Sequence, residues 1–165
     1  MKKIILLIIL TIISGAFMCF SNTKAEESKQ CTKENVYQSI KKSGIEFTDI
    51  VFAQIILESA ELKSKLTRSN NNFLGMKMPE KRETTAIGKS HGYALYAGWE
   101  DCVQDYLLYQ NYTFKKKKMT RNQYLTFIGK SYSECGTYKN RILRVIKENR
   151  DFMKMQDSLY YCSTL

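Results

Sequence analysis

"AQIILESAELKSKLTRSNNNFLGMK", residues 53–77, holds the reading that decides the fold. Upstream of it, Thr48 or Asp49 starts a helix, and Ile50, Val51, Phe52, Ala53, Ile55, Ile56 and Leu57 make that helix apolar on every side. A helix without a polar face belongs at the centre of a core. Glu58 ends the run, one turn past Gln54 and two turns past Val51 on the same face. Burial there disfavours the charged carboxylate. Two explanations follow: a helix-end glutamate paired with Lys63 or Lys65, or a carboxylic acid kept protonated so that it can donate its proton.

Reading outward, Thr32 caps a preceding helix with Val36, Tyr37 and Ile40 on its apolar side, and Gly44 ends it. After Asn70 the helical period stops. "ETTAIGKSHGYALYAGW", residues 83–99, has β-formers split by "GKSHG", the pattern of a hairpin. Helical spacing returns with Val103, Tyr106, Leu107 and Gln110. Thr120 and Gln123 form a capping box for a helix carrying Tyr124, Phe127 and Ile128 and ended by Gly129. A last helix begins near Thr137 and repeats Tyr138, Ile142, Val145 and Ile146. Two helices, a small β-excursion and three more helices make an α+β, mainly helical, lysozyme-like layout with a short β-hairpin lobe.

The chain has 165 residues, room for one domain. Lys2 and Lys3, an apolar stretch from Ile4 to about Phe20, and a small-residue exit at Ala25 read as a secretory signal peptide over residues 1–25. The uncharged run is shorter than the roughly 20 residues a bilayer-spanning helix needs. The expected domain is therefore 26–165, exported to the periplasm or the extracellular space, with no stable membrane insertion after cleavage. Cleavage removes three lysines and no acid, leaving 23 basic and 16 acidic residues, a formal charge of +7. That balance favours an anionic partner, whether nucleic acid, a membrane surface or an acidic wall polymer, and export argues against nucleic acid. The densest cluster, Lys115 to Lys118, falls between two helices and reads as a solvated turn.

Four cysteines remain in that domain, an even count that in an exported chain suggests two disulfides. Three connectivities are possible. The expected one joins Cys31 to Cys162 across the termini and Cys102 to Cys135 between two helices. No CxxC pair or histidine cluster accompanies them, and His91 is the only histidine, so neither a metal nor another cofactor is expected.

Three segments can carry chemistry. Glu58 is the candidate general acid, since a glycosidic oxygen leaves poorly until protonated. In "NNNFLGMK", residues 70–77, the asparagines either form turns or order a loop that holds the hairpin against the Glu58 helix. "YALYAGWEDCVQDY", residues 93–106, supplies Tyr93, Tyr96 and Trp99, which are either core or faces on which sugar rings stack.

In this order the segments resemble the bacterial glucosaminidase family, the mannosyl-glycoprotein endo-β-N-acetylglucosaminidase-like domain, from about Val36 to Ile146. "AQIILESA" is similar to the family's AQ-x-x-LESG, "NNNFLGMK" to its NNLFGxK, and "YALYAGWEDCVQDYLLYQ" to its stretch ending in Asp-Tyr. The resemblance implies a lysozyme-like fold and hydrolysis of the β-1,4 bond after N-acetylglucosamine in peptidoglycan glycan strands; the protein is expected to be a monomer. It places the catalytic acid on Glu58 and the active-site tyrosine on Tyr96. Glu83 is the expected second carboxylate, from a choice of Glu80 and Glu83 in the hairpin lobe. Asn71, Asn72, Phe73, Tyr93 and Trp99 are the expected substrate contacts. The chain departs from the family at Ala60 and Leu62, where glycine is usual. A lytic transglycosylase, a glycoprotein-directed endoglycosidase and a non-catalytic glycan-binding module are the alternatives.

Overall fold

The computed structural model describes residues 30–115, 117–132 and 137–164. The expected leader, residues 1–25, and Cys135 lie outside them. The described chain forms α1 (Lys33–Ser43), α2 (Thr48–Glu58), α3 (Lys65–Asn70), β1 (Gly88–Ser90), β2 (Tyr93–Leu95), α4 (Trp99–Phe114), α5 (Arg121–Tyr132), α6 (Tyr138–Glu148) and α7 (Arg150–Ser163). This is the lysozyme-like, mainly helical α+β layout expected. Among the described residues no helix is long and apolar enough to cross a membrane.

Several boundaries follow from side-chain chemistry. Thr32 Oγ1 accepts the Asn35 amide at 3.2 Å to open α1, and Gly44, at φ +78°, closes it. Thr120 and Gln123 exchange bonds of 2.8 and 3.3 Å in the capping box of α5. That helix continues through Gly129 to Tyr132. The short α3 and the terminal α7 add to the five helices read from sequence. α7 separates from α6 at Asn149, whose side chain donates back to the Val145 carbonyl at 2.9 Å.

The core surrounds α2, where Ile50 to Ile56 are all buried. α6 packs along it, and α1 lies against α2, α4 and α7. Phe52 meets Tyr37 edge-on at 5.2 Å and stacks with Phe152 of α7 at 5.5 Å. A buried polar chain crosses the same core. Gln110 Nε2 donates to Tyr124 Oη, the Tyr124 and Tyr106 hydroxyls lie 2.6 Å apart, and Tyr106 Oη donates to Gln54 Oε1.

The hairpin is smaller than its sequence suggests. Gly88 to Ser90 are strand, and His91-Gly92 alone makes the turn, both at positive φ as a two-residue primed turn requires. The segment between Met76 and this hairpin is held to α4 by a buried ion pair. Arg82 forms a two-pronged bond to Asp105 at 2.7 and 2.8 Å, with Asp105 fully buried. Tyr96 Oη donates to the same carboxylate at 2.8 Å, and Thr85 Oγ1 donates to the Asp101 carbonyl at 2.6 Å.

The expected Cys31–Cys162 disulfide is not formed; both are exposed free thiols. The helix directions explain this. Tyr37 bonds Asp157, and Lys41, further along α1, lies over the rings of Tyr160 and Tyr161. Cys162 therefore sits beside the C-terminal end of α1, whereas Cys31 precedes its N-terminus. An 11-residue helix separates them, about 15 Å at 1.5 Å per residue, against a Cα limit of about 7 Å for a disulfide. Cys102 is also free and fully buried: its thiol accepts backbone bonds from Phe73 and Leu74, and burial pushes it up to about 12. Its expected partner, Cys135, is not among the described residues.

Burial raises the Asp105 carboxyl, but bonds from Arg82, Thr84 and Tyr96 outweigh it and hold the group below its ordinary 3.8. The lowered value means that this stabilisation is complete above pH 3.8 and is lost as the pH falls toward the folded-state value. Arg82→Ala leaves an unpaired buried charge, and its expected cost is about 3–5 kcal/mol. Urea melts at pH 7 and pH 3 check both statements: the deficit of Arg82→Ala relative to wild type is expected to be smaller at pH 3 than at pH 7.

Candidate active site

Glu58 is the last residue of α2, and its side chain is exposed. The burial expected from sequence therefore fails. The apolar envelope ends at Ile56, 5% exposed, while Leu57 is half-buried and Glu58 lies beyond it. Neither Lys63 nor Lys65 forms an ion pair with it among the described residues. Glu58 Oε1 instead accepts a hydrogen bond of 2.8 Å from Tyr138 Oη, at the start of α6. The Tyr138 ring is buried, so a rigid donor fixes one oxygen of an accessible carboxylate.

The chain then reverses over three successive left-handed residues: Ala60 at φ 49°, Glu61 at 57° and Leu62 at 68°. Ser59, fully buried, anchors the turn. Its hydroxyl donates to the Ile55 carbonyl at 2.6 Å and accepts the Leu62 amide at 2.8 Å, and its carbonyl accepts from Lys63 and Ser64. Ala60 and Leu62 are the positions where the resembled family has glycine, and this backbone is one that glycine adopts without strain.

The three asparagines face the hairpin. Asn70 Nδ2 donates to the Ser90 carbonyl at 3.1 Å, and Asn71 Nδ2 donates to the Tyr96 and Ala97 carbonyls, each at 3.1 Å. Asn72 donates to the Met76 and Ala94 carbonyls, each at 2.9 Å, and accepts the Met76 amide. Loop ordering is thus what these amides do. Asn72, Phe73 and Trp99, expected as substrate contacts, and Tyr96, expected as the active-site tyrosine, are 1%, 1%, 5% and 1% exposed, so each is packed into the core in this structure. Phe73 and Trp99 pack at 6.1 Å between ring centroids, as core aromatics do. The Tyr96 hydroxyl is engaged by Asp105, and burial is the main cause of its strongly raised ionisation. Asn71 stays half-buried and Tyr93 is exposed, its ring 3.8 Å from where a Cβ on Gly75 would lie.

Glu83 is exposed on the segment that Arg82 anchors, and its carbonyl accepts from Arg82 Nη1 at 2.7 Å. The fixing contacts of that segment are with α4, whereas Glu58 is fixed against α6. Sequence reasoning missed Tyr138: beside Ile142 and Val145 it reads as one more residue of an apolar stripe, and only its hydroxyl departs from that role. Among the described residues no group of three or more His, Cys, Asp or Glu side chains could hold a metal.

The structure is thus a lysozyme-like helical body with a small two-stranded lobe and an accessible carboxylate, Glu58, at the end of its central helix. The chain matches the glucosaminidase family model, described as mannosyl-glycoprotein endo-beta-N-acetylglucosaminidase, over residues 33–151, and belongs to that family. It is a glycoside hydrolase domain acting on peptidoglycan-like glycans. No curated protein and no solved structure matches it.

Relief of a left-handed alanine is worth about 1–2 kcal/mol, partly offset by the greater unfolded-state freedom of glycine. Ala60→Gly is therefore expected to stabilise by about 0.5–1 kcal/mol, read as a thermal melt shifted upward by about 2–4 °C. Ala60 is exposed, so no packing change obscures the result.

Proposed function

We propose that the protein is an exported peptidoglycan hydrolase that cleaves the β-1,4 bond after N-acetylglucosamine, with Glu58 as general acid. The observation that carries this reading is the accessible Glu58 carboxylate with one oxygen fixed by Tyr138 at 2.8 Å. The fixed oxygen leaves the other free to present a proton to the glycosidic oxygen as the bond breaks. A glycan strand laid over the helix end excludes water from the carboxyl and favours its neutral, donating form. As the proton leaves, the Tyr138 hydroxyl stabilises the carboxylate it already contacts. Tyr138 is thus a positioning residue. Tyr96 acts at a further remove, through Asp105 and the placing of the lobe. Glu83 is the carboxylate assigned to the opposite face of the sugar, supported by its exposure and by the anchoring of its segment through Arg82. The net positive charge and the leader-like first 25 residues support export to an anionic wall.

Glu58→Gln preserves shape and removes the transferable proton, so release of reducing ends from purified peptidoglycan is expected to fall by about 10²- to 10⁴-fold with the melt unchanged. Tyr138→Phe is expected to lower kcat by about tenfold, about 1.4 kcal/mol, with KM within about twofold. Mass analysis of the products completes the test. New reducing N-acetylglucosamine ends are expected, whereas anhydro-muramic ends would assign a lytic transglycosylase. Full turnover by Glu83→Gln removes that residue from the mechanism.

A further inference from the structure

A groove of about 690 Å³ runs between the segment from Leu74 to Arg82 and the C-terminal half of α4, and it reaches Ser131 of α5. Neither Glu58 nor Tyr138 lines it. Its floor is apolar: Leu74, Met76, Met78 and Pro79 form one side, with Tyr109 and Tyr112 opposite. Met78 and Tyr112 remain 38% and 50% exposed, so apolar surface is accessible there. Charge gathers along the same groove. Lys77 and Lys81 are exposed on its wall, while Arg82 is occupied by Asp105 and holds the wall in place. α4 leads from Tyr112 directly into Lys115, Lys117 and Lys118, all exposed, and the Lys117 amide folds back onto the Phe114 carbonyl at 2.8 Å. Glu80 is the one acidic side chain among the lining residues.

We infer that this groove binds the short acidic peptide carried by the wall glycan, apart from the sugar chain itself. The inference rests on the peptidoglycan reading above. A sugar chain can stack on Tyr112, but it brings no charge to Lys77 and Lys81, and the methionine, leucine and proline of the facing side do not satisfy its hydroxyl and acetamido groups. A phosphate-backbone polymer matches the lysines but has little apolar surface to set on that floor. A peptide of small apolar side chains and carboxylates matches both, and a groove of this volume falls within the range that takes such a ligand. Lys77 and Lys81 then supply the cationic wall that meets the peptide's carboxylates.

The test compares intact peptidoglycan with the same material after an amidase has removed its peptides. Wild type is expected to lose about tenfold in kcat/KM on the stripped glycan, through KM, the size that two partly exposed charge pairs supply. The Lys77→Gln/Lys81→Gln double variant, at surface positions that leave folding intact, is expected to lose that preference and to cleave both polymers as wild type cleaves the stripped one. A second arm measures binding of a synthetic N-acetylated Ala-Glu-Lys-Ala peptide by NMR. Shifts confined to the groove, weakened in the double variant and by added salt, are expected. Equal wild-type rates on the two polymers would overturn the inference, as would tighter binding of poly(glycerol phosphate) than of the peptide. If wild type cleaves neither polymer, the hydrolase reading falls, and the peptide-binding arm decides this inference by itself.

Discussion

The rest of the structure is arranged around a helix that has no polar face. From Ile50 to Ile56 every side chain of α2 is buried, including Gln54. A helix of this kind has to be enclosed, and α1 and α6 pack directly against it while α7 reaches it through Phe152. Enclosure also fixes where the chain can become reactive. Inside the envelope a carboxylate lacks water and partners; at its end, one residue beyond half-buried Leu57, a carboxylate meets solvent while its backbone still belongs to the most constrained element of the domain.

The small lobe is organised by different physics. A two-stranded hairpin with strands of three residues each cannot hold itself together in water. Its carbonyls are taken up by Asn70 and Asn72, those just after it by Asn71, and the preceding segment is fixed by the two-pronged Arg82–Asp105 bond. Buried polar groups of this kind stabilise only when every member is satisfied. Asp105 illustrates this, because it collects Arg82, Thr84 and Tyr96 around one carboxyl. The aromatic residues between the asparagines and α4 complete the packing. That is why so many residues of the family-like segments are structural here.

Local rules in the sequence reported local structure well. Thr32, Gly44 and the Thr120–Gln123 box lie where capping chemistry places them, and "GKSHG" marks the hairpin. α3 escaped notice because six mostly polar residues capped by Ser64 leave no periodic signal. α7 lies beyond the last helix read from sequence, the one with Tyr138 to Ile146, and Asn149 separates the two with neither glycine nor proline to mark the break. Glu58 reads as buried yet is exposed, because an apolar period describes the interior of a helix and is silent about its last turn. Arg82–Asp105 and Tyr138–Glu58 join residues 23 and 80 positions apart, and no window of sequence contains either pair. The tyrosines of the α4 segment were legible as aromatics, but whether an aromatic faces core or solvent depends on neighbours supplied by the tertiary fold.

Exposure and rigidity are ordinarily opposed at a helix terminus, since the last turn frays. Here they are reconciled by what lies immediately behind Glu58. Ser59 is fully buried and binds both the preceding turn, through Ile55, and the following one, through the amides of Leu62, Lys63 and Ser64. Those bonds hold three non-glycine residues in a left-handed path that isolated chains avoid, and the partly buried Leu62 side chain adds packing that glycine cannot provide. The reversal takes the chain away from the end of α2 at once, so nothing in sequence covers Glu58. Tyr138 then sets the orientation of its carboxylate from the opposite helix. Leucine at position 62 in place of the family's usual glycine is consistent with this division of labour: backbone strain is accepted behind the carboxylate in exchange for side-chain anchoring, while the carboxylate itself stays open to a ligand.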